Sequence, residues 1–321
     1  MNSELLLTNL TDPTLLFFVL GIVAYVVKSD LEIPPTTIKF ISLYLLFSIG
    51  FKGGQELAHE HFNVQVAKEL MFGMGIASAI PFYVFFVLRG KLGVQNAGAV
   101  AAAYGSVSAV TFVAATSFLD AKELTFNGHM VAIMALMESP AIIVGMVLLM
   151  RYDVDNADRP SLGQMLRHSL TNGSVLILIG SLLIGLVADA RRAEGIKPFT
   201  TDIFKGFLAI FLLEMGMVTA ARFKAFRTYG WYASTVAVVL PLINGCVVAW
   251  LSGSVTAHPG DRLMFAVLAA SASYIAVPAA MRLAAPKADP GLYIPMALGV
   301  TFPFNITIGM PLYYLIVGGS T

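Results

Sequence analysis

The sequence predicts an all-α membrane protein of ten transmembrane helices, built as two inverted five-helix repeats, and three observations predict it. Only 12% of the 321 residues are charged while 57% are hydrophobic, against about 25% charged in an ordinary soluble domain. The charges fall in short stretches between long uncharged runs, and pieces of the first half recur in order in the second. With so few Lys and Glu to cover a water-soluble core, the apolar surface must face lipid, which excludes an ordinary soluble enzyme. A net charge of +1 leaves no clustered excess of Lys and Arg, so no nucleic-acid partner is expected. The lone Cys246 excludes an internal disulfide and a cysteine-rich metal site.

The opening residues MNSELLLTNLTDPT lack the basic start and small-residue cleavage pattern of a signal peptide, so the first apolar run is expected to be a retained span. A helix needs about 20 mostly apolar residues to cross a bilayer. Splitting the uncharged stretches at Gly, Pro and polar clusters gives spans near 12–28, 35–52, 68–88, 93–117, 125–150, 169–188, 200–219, 229–253, 262–283 and 290–318. The first is short enough that Lys28 snorkels to the interface. Lys and Arg favour the cytoplasmic side. Lys28, Lys39, Arg89, Lys91, Arg151, Arg159, Arg167, Arg222, Lys224, Arg227, Arg282 and Lys287, twelve of the 20, follow odd-numbered spans, which places both termini outside a bacterial cytoplasmic membrane.

TLLFFVLGIVAYVVKSD from Thr14 resembles SVLILIGSLLIGLVADA from Ser174, and PPTTIKFISLYLLFSIGFKGG from Pro34 resembles PFTTDIFKGFLAIFLLEMGMVTA from Pro198. YGSVSAV from Tyr104 falls opposite SASYIAV from Ser271, and the same offset puts Glu138 opposite Asn305. An odd number of spans per half inverts the second half, an arrangement common in secondary transporters. The expected organisation is a first repeat over 1–150, a polar cytoplasmic linker over 151–168 that carries Arg159 and Pro160, and a second repeat over 169–321.

Within the fourth span, AAAYGSVSAVT (Ala101 to Thr111) puts Gly, Ser and Thr at mid-membrane, and AASASYIAVPAAMR (Ala269 to Arg282) does the same in the ninth. Unwound backbone at that depth must be buried in protein or line a cavity. Taken singly, either stretch also suits a packing seam of small residues; the repeat relation between them points to one shared site. Two restarting helices aim two N-termini there, each worth roughly +0.5 charge, enough to balance one small monovalent anion. Free N–H groups and the hydroxyls of Ser106, Ser108, Ser271 and Ser273 then replace its water shell. Glu138, near the centre of the fifth span, costs about 2.5 kcal/mol or more in lipid. It suits holding sodium with carbonyl and hydroxyl oxygens, carrying a proton, or bonding a neighbouring helix while protonated. Glu214 lies nearer a span end, within reach of Arg222. His59 and His61 lack a third metal ligand and read as solvated loop residues.

DPTLLFFVLGIVA, LFSIGFKGG, GSVSAVTFVAA, MESPAIIVGMVLL, SASYIAVPAAMR and GVTFPFNITIGMPLY resemble the sodium-dependent bicarbonate transporter family over nearly the whole chain. The resemblance implies core and gate domains, a homotrimer, a cytoplasmic regulatory protein as partner, and an anion held between broken helices. Carried over by residue, it implies Gly105, Ser106, Val107 and Ser108 on one side of the anion and Ala272, Ser273 and Tyr274 on the other. Thr111, Glu138, Ser271 and Asn305 are the sodium-coupling set, and no cofactor beyond sodium is expected. The chain departs from the family pattern at Tyr274, which replaces an acidic residue, and at Glu138, which replaces Asp. The expected function is import of bicarbonate by sodium symport. Its alternatives are a sodium- or proton-coupled symporter of another small organic or inorganic anion, a passive channel and, more remotely, an intramembrane enzyme. For the last, the spans offer only Glu138, Glu214 and His129 as ionisable groups.

Overall fold

An apolar segment in lipid has no water for its peptide groups and closes its hydrogen bonds within itself as a helix. The structure, a computed structural model, describes residues 13–59, 63–153, 163, 173–226, 230–274 and 276–318. Among these, helices occupy each of the ten expected apolar stretches and no strand occurs. They are α1 (Pro13–Val26), α2 (Pro35–His59), α3 (Val64–Leu92), α4 (Val94–Gly105), α5 (Ala109–Ala121), α6 (His129–Tyr152), α7 (Gly173–Val187), α8 (Phe204–Phe226), α9 (Gly230–Leu251), α10 (Pro259–Ala270) and α11 (Ala276–Ala284). A last stretch, α12 (Pro290–Ile316), alternates α and π turns. Most of the expected 151–168 linker, His61, and the side chains of His59 and Arg222 lie outside the described residues.

Among the described residues, six stretches are long and apolar enough to cross a membrane: Val64–Leu92, Val94–Ala121, His129–Tyr152, Pro198–Ala221, Gly230–Ser254 and Pro290–Ile316. Leu16–Val26 and Leu176–Val187 are apolar but shorter. Local signals set the ends. Asn63 caps α3 by accepting from the Val66 N–H at 3.0 Å. Asp289 accepts from Gly291 N–H at 2.7 Å ahead of Pro290, whose missing N–H costs nothing at a first helical position.

Apolar side chains cover the outside as well as the inside. Leu16, Leu20 and Val23 on α1, Phe82 and Val87 on α3, and Leu183 and Ile184 on α7 are exposed, as expected where lipid is the solvent. Trp231 and Trp250 stand exposed near opposite ends of α9. At 1.5 Å rise per residue they lie about 28 Å apart, close to the thickness of a hydrocarbon core and suited to its two aromatic belts. Burial ranks the helices from rim to centre: 89% of the α4–α5 apolar window is buried, against 39% for α3. The interrupted stretch is therefore the middle of the molecule.

Helix pairing divides the bundle. α1 lies along α8 and α2 along α7, while α3, α4 and α6 pack together and α9 packs on α10 and α12. The first two pairs each join one helix from either half of the chain at backbone distance. A Cβ on Gly21 would sit 2.0 Å from the Leu213 carbonyl oxygen and one on Gly216 the same distance from that of Phe18. Gly54 and Gly185 make the corresponding approach between α2 and α7. Such contact needs residues without side chains, since lipid supplies no hydrophobic push between membrane helices.

Candidate functional site

The centre is built by two interruptions that meet. α4 stops at Gly105, and Ser106 and Ser108 adopt extended backbone before α5 begins. α10 stops at Ala270 with Ser271 extended, and α11 restarts at Ala276. The loose segments hold each other directly. Ser273 N–H donates to the Ala103 carbonyl at 2.8 Å, and Ser108 N–H donates to the Ser271 hydroxyl at 3.0 Å. Backbone groups freed by one break are thus satisfied by the other, as unwound backbone in lipid requires.

The serine hydroxyls divide by what they do with their protons. Ser271 donates to the Leu268 carbonyl at 2.8 Å while accepting from Ser108, so it has no proton left for an anion. Ser108 caps α5 by accepting from Thr111 N–H at 3.2 Å, and Ser273 accepts from Val277 N–H at 3.5 Å; both spend a lone pair and keep a donor. Ser106 Oγ and Tyr274 Oη are buried and have no hydrogen-bond partner of good geometry among the described residues, Tyr274 Oη lying beside Ser108 Oγ. Four hydroxyl donors therefore belong to the residues just ahead of α5 and α11, whose first-turn N–H groups have no intrahelical acceptor. This is a donor-rich, acceptor-poor place, the chemistry an anion needs.

Other residues expected here fall into place around the crossing. Gly105 packs on Pro81, leaving no room for a Cβ. Val107, Ala272 and Thr111 are buried. Asn305 is fully buried and donates to the Ala270 carbonyl at 2.7 Å, while its own carbonyl accepts from Tyr313 at 3.2 Å. It ties α12 to the end of α10. Glu138 is half-buried on α6, and no hydrogen bond joins it to a described residue. Glu214 is half-buried on α8.

The sequence reading missed the posts that hold α12. Tyr104 bonds the Thr301 hydroxyl at 2.7 Å, and Thr301 donates to the Ala237 carbonyl at 2.7 Å. Tyr313 also reaches the Pro241 carbonyl at 2.9 Å. The signal available was spacing: Asn305, Gly309 and Tyr313 recur at four-residue steps, one face of a helix.

A cavity of about 1000 Å³ leads to this centre. It runs between α2, α7 and α8 from the end that carries Pro35, Lys39 and Gly173 and reaches Tyr274 and Leu298. Leu, Ile, Phe and Met line most of it, with Ser42 and Ser181.

An all-helical architecture with six membrane-length apolar helices among the described residues defines a multi-pass membrane protein. Residues 13–318 match the Na+-dependent bicarbonate transporter superfamily, and the chain belongs to that family. No curated protein matches it.

Proposed function

We propose that the chain is a secondary active importer that takes up bicarbonate with sodium by alternating access. The observation that carries this reading is the pair of buried, unpartnered hydroxyls of Ser106 and Tyr274 at the crossing of the two breaks. A buried hydroxyl without a partner costs about 1–3 kcal/mol, a cost relieved when an anion accepts from it. Gly105, Ser106, Val107 and Ser108 contact the anion from one side and Ala272, Ser273 and Tyr274 from the other. Sodium sits with Thr111, Glu138, Ser271 and Asn305, the last two keeping the crossing closed.

Ten spans in two inverted halves, 1–150 and 169–321 around the linker 151–168, account for the exchange of partners between α1 with α8 and α2 with α7. Those four helices form the gate, and the remainder forms the core that moves against it. The cavity ending at Tyr274 is the access route from the cytoplasmic end, where Lys39 lies. In this reading the protein sits in a bacterial cytoplasmic membrane as a homotrimer, with both termini outside and a regulatory protein reaching it from the cytoplasm.

The test is uptake of labelled bicarbonate into proteoliposomes with sodium and proton gradients imposed separately. Sodium-driven accumulation above empty vesicles is expected; flux equal to empty vesicles under both gradients defeats the proposal. One observation favours a second substrate: the apolar lining of the access cavity also admits a small organic carboxylate, which competition by acetate or propionate would reveal. For Glu138→Gln, the half-activating sodium concentration is expected to rise, since a carboxylate ligand becomes a neutral amide. An unchanged sodium titration removes Glu138 from the coupling set.

A further inference from the structure

Away from the crossing, α3, α6 and α10 all begin at one end of the bundle. There Glu69, His129 and Asp261 are buried at 2%, 4% and 0% exposure, with one ligand atom from each lying within 4.8 Å of the others. His129 Nε2 is 2.6 Å from Glu69 Oε2. His258 Nδ1, an atom shut off from solvent and without a hydrogen-bond partner, lies 3.6 Å from Asp261 Oδ2. Neighbouring amides hold the carboxylates in place: Gln65 donates to Glu69 Oε1 at 2.6 Å, and Asn127 donates to both oxygens of Asp261 at 2.7 and 2.5 Å. An open pocket of about 740 Å³, lined by Gln65, Glu69, His129, Thr256 and His258, joins the group to solvent.

Two buried carboxylates need positive charge. Lys68 is exposed, and the Arg262 guanidinium bonds the carbonyls of Val317 and Ala249 at 2.9 and 3.1 Å. A proton shared between Glu69 and His129 balances one carboxylate, and helix starts add about half a charge each. A dication with both histidines neutral balances both carboxylates at once. Imidazole with carboxylate suits zinc and its transition-metal neighbours, whereas calcium and magnesium take six or more oxygens. Tetrahedral ligands about 2.0–2.2 Å from zinc stand about 3.3 Å apart, inside the 4.8 Å within which the atoms of Glu69, His129 and Asp261 lie.

We infer that Glu69, His129 and Asp261 form a binding site for a divalent transition-metal ion of the zinc class, with His258, which stands beside Asp261 but outside the group of three, turning in as fourth ligand; the site is separate from the anion crossing and reached from the opposite end to the Lys39 cavity. Gln65 and Asn127 orient its carboxylates in the manner of outer-shell partners. The ion pins the starts of three helices, including α10, whose other end forms the crossing.

The experiment uses the full chain in detergent, stripped with chelator and titrated with Zn²⁺ by equilibrium dialysis, and with Co²⁺ by visible absorption. One ion per chain and the intense spectrum of four-coordinate cobalt are expected. His258→Ala, which alters the most exposed ligand, is expected to keep the elution profile and weaken binding about ten-fold or more; Glu69→Gln is expected to abolish it. A His59→Ala/His61→Ala variant should bind as the parent does. Retention no greater than a protein-free blank, or parental affinity in both His258→Ala and Glu69→Gln, overturns the inference. Loss of binding in the His59/His61 variant alone overturns it too, by assigning the metal to the loop. Because the readout is metal content, failure here is distinguishable from failure of the transport proposal.

Discussion

Ser106→Ala is expected to raise the half-saturating bicarbonate concentration about 10- to 100-fold while the chain keeps its detergent elution profile. Hydrogen bonds to charged groups contribute about 1.5–3 kcal/mol, and 1.4 kcal/mol is about ten-fold in affinity. Ser106 is the clean probe among the serines because its hydroxyl serves no other group. Ser108→Ala also removes the α5 cap, costing about 0.5–2 kcal/mol of stability, and Ser271→Ala cuts the link between the two breaks. Truncating Ser106 leaves the fold's own hydrogen bonds intact and even removes an unsatisfied one, so thermal stability should hold or rise as affinity falls. That opposition is the signature of a group kept for a ligand. Tyr274→Phe, which deletes the second unpartnered hydroxyl, is expected to behave alike, and Ser273→Leu to abolish uptake by filling the crossing. Uptake curves for Ser106→Ala and Tyr274→Phe that superimpose on the parent's would sink the site assignment.

The breaks were legible because lipid makes irregular backbone conspicuous: no charge interrupts Leu92 to Leu119, and small hydroxyl residues in such a run stand out. Sequence could not say which serine keeps its proton. That depends on Ser271 meeting Ser108 across 163 positions, a contact between halves that no local pattern encodes. Glu138 was conspicuous for the same reason as the breaks, yet its partners are tertiary facts, and the described structure gives it none. The Glu69, His129 and Asp261 group escaped for an instructive reason. Spans were delimited by their charges, so a carboxylate at a span start, such as Glu69 at the edge of 68–88 or Asp261 just ahead of 262–283, counts as a loop charge facing water. Three such starts converging at one end of the bundle bury them instead. The short helices α1 and α7 were found from apolarity alone, whereas their partners were not: the glycines that select α8 and α2 act at contact distance.

Those glycine contacts set the second large effect. Gly216→Ala puts a methyl group 2.0 Å from the Phe18 carbonyl oxygen and 3.0 Å from the Ile22 nitrogen, where an ordinary contact needs about 3.4 Å or more. Backbone cannot rotate away as a side chain can, so α1 and α8 must separate by more than an ångström along their shared face. Overpacking a close interface costs about 1–3 kcal/mol, and the loss is larger here because every contact along the two helices loosens with it. Gly185→Ala does the same to α7 against the Phe51 carbonyl at 2.2 Å. Gly180, on the same helix, has nothing within 4 Å of an added Cβ, and Gly180→Ala removes a helix glycine that costs about 1 kcal/mol relative to alanine. Thermal unfolding in detergent should therefore split two substitutions five residues apart on one helix: Gly185→Ala lowers the midpoint by several degrees and Gly180→Ala leaves it level or raises it. Equal midpoints would mean that α2 and α7 do not meet backbone to backbone, and with that the exchanged pairing that supports a gate shared between the halves would fail.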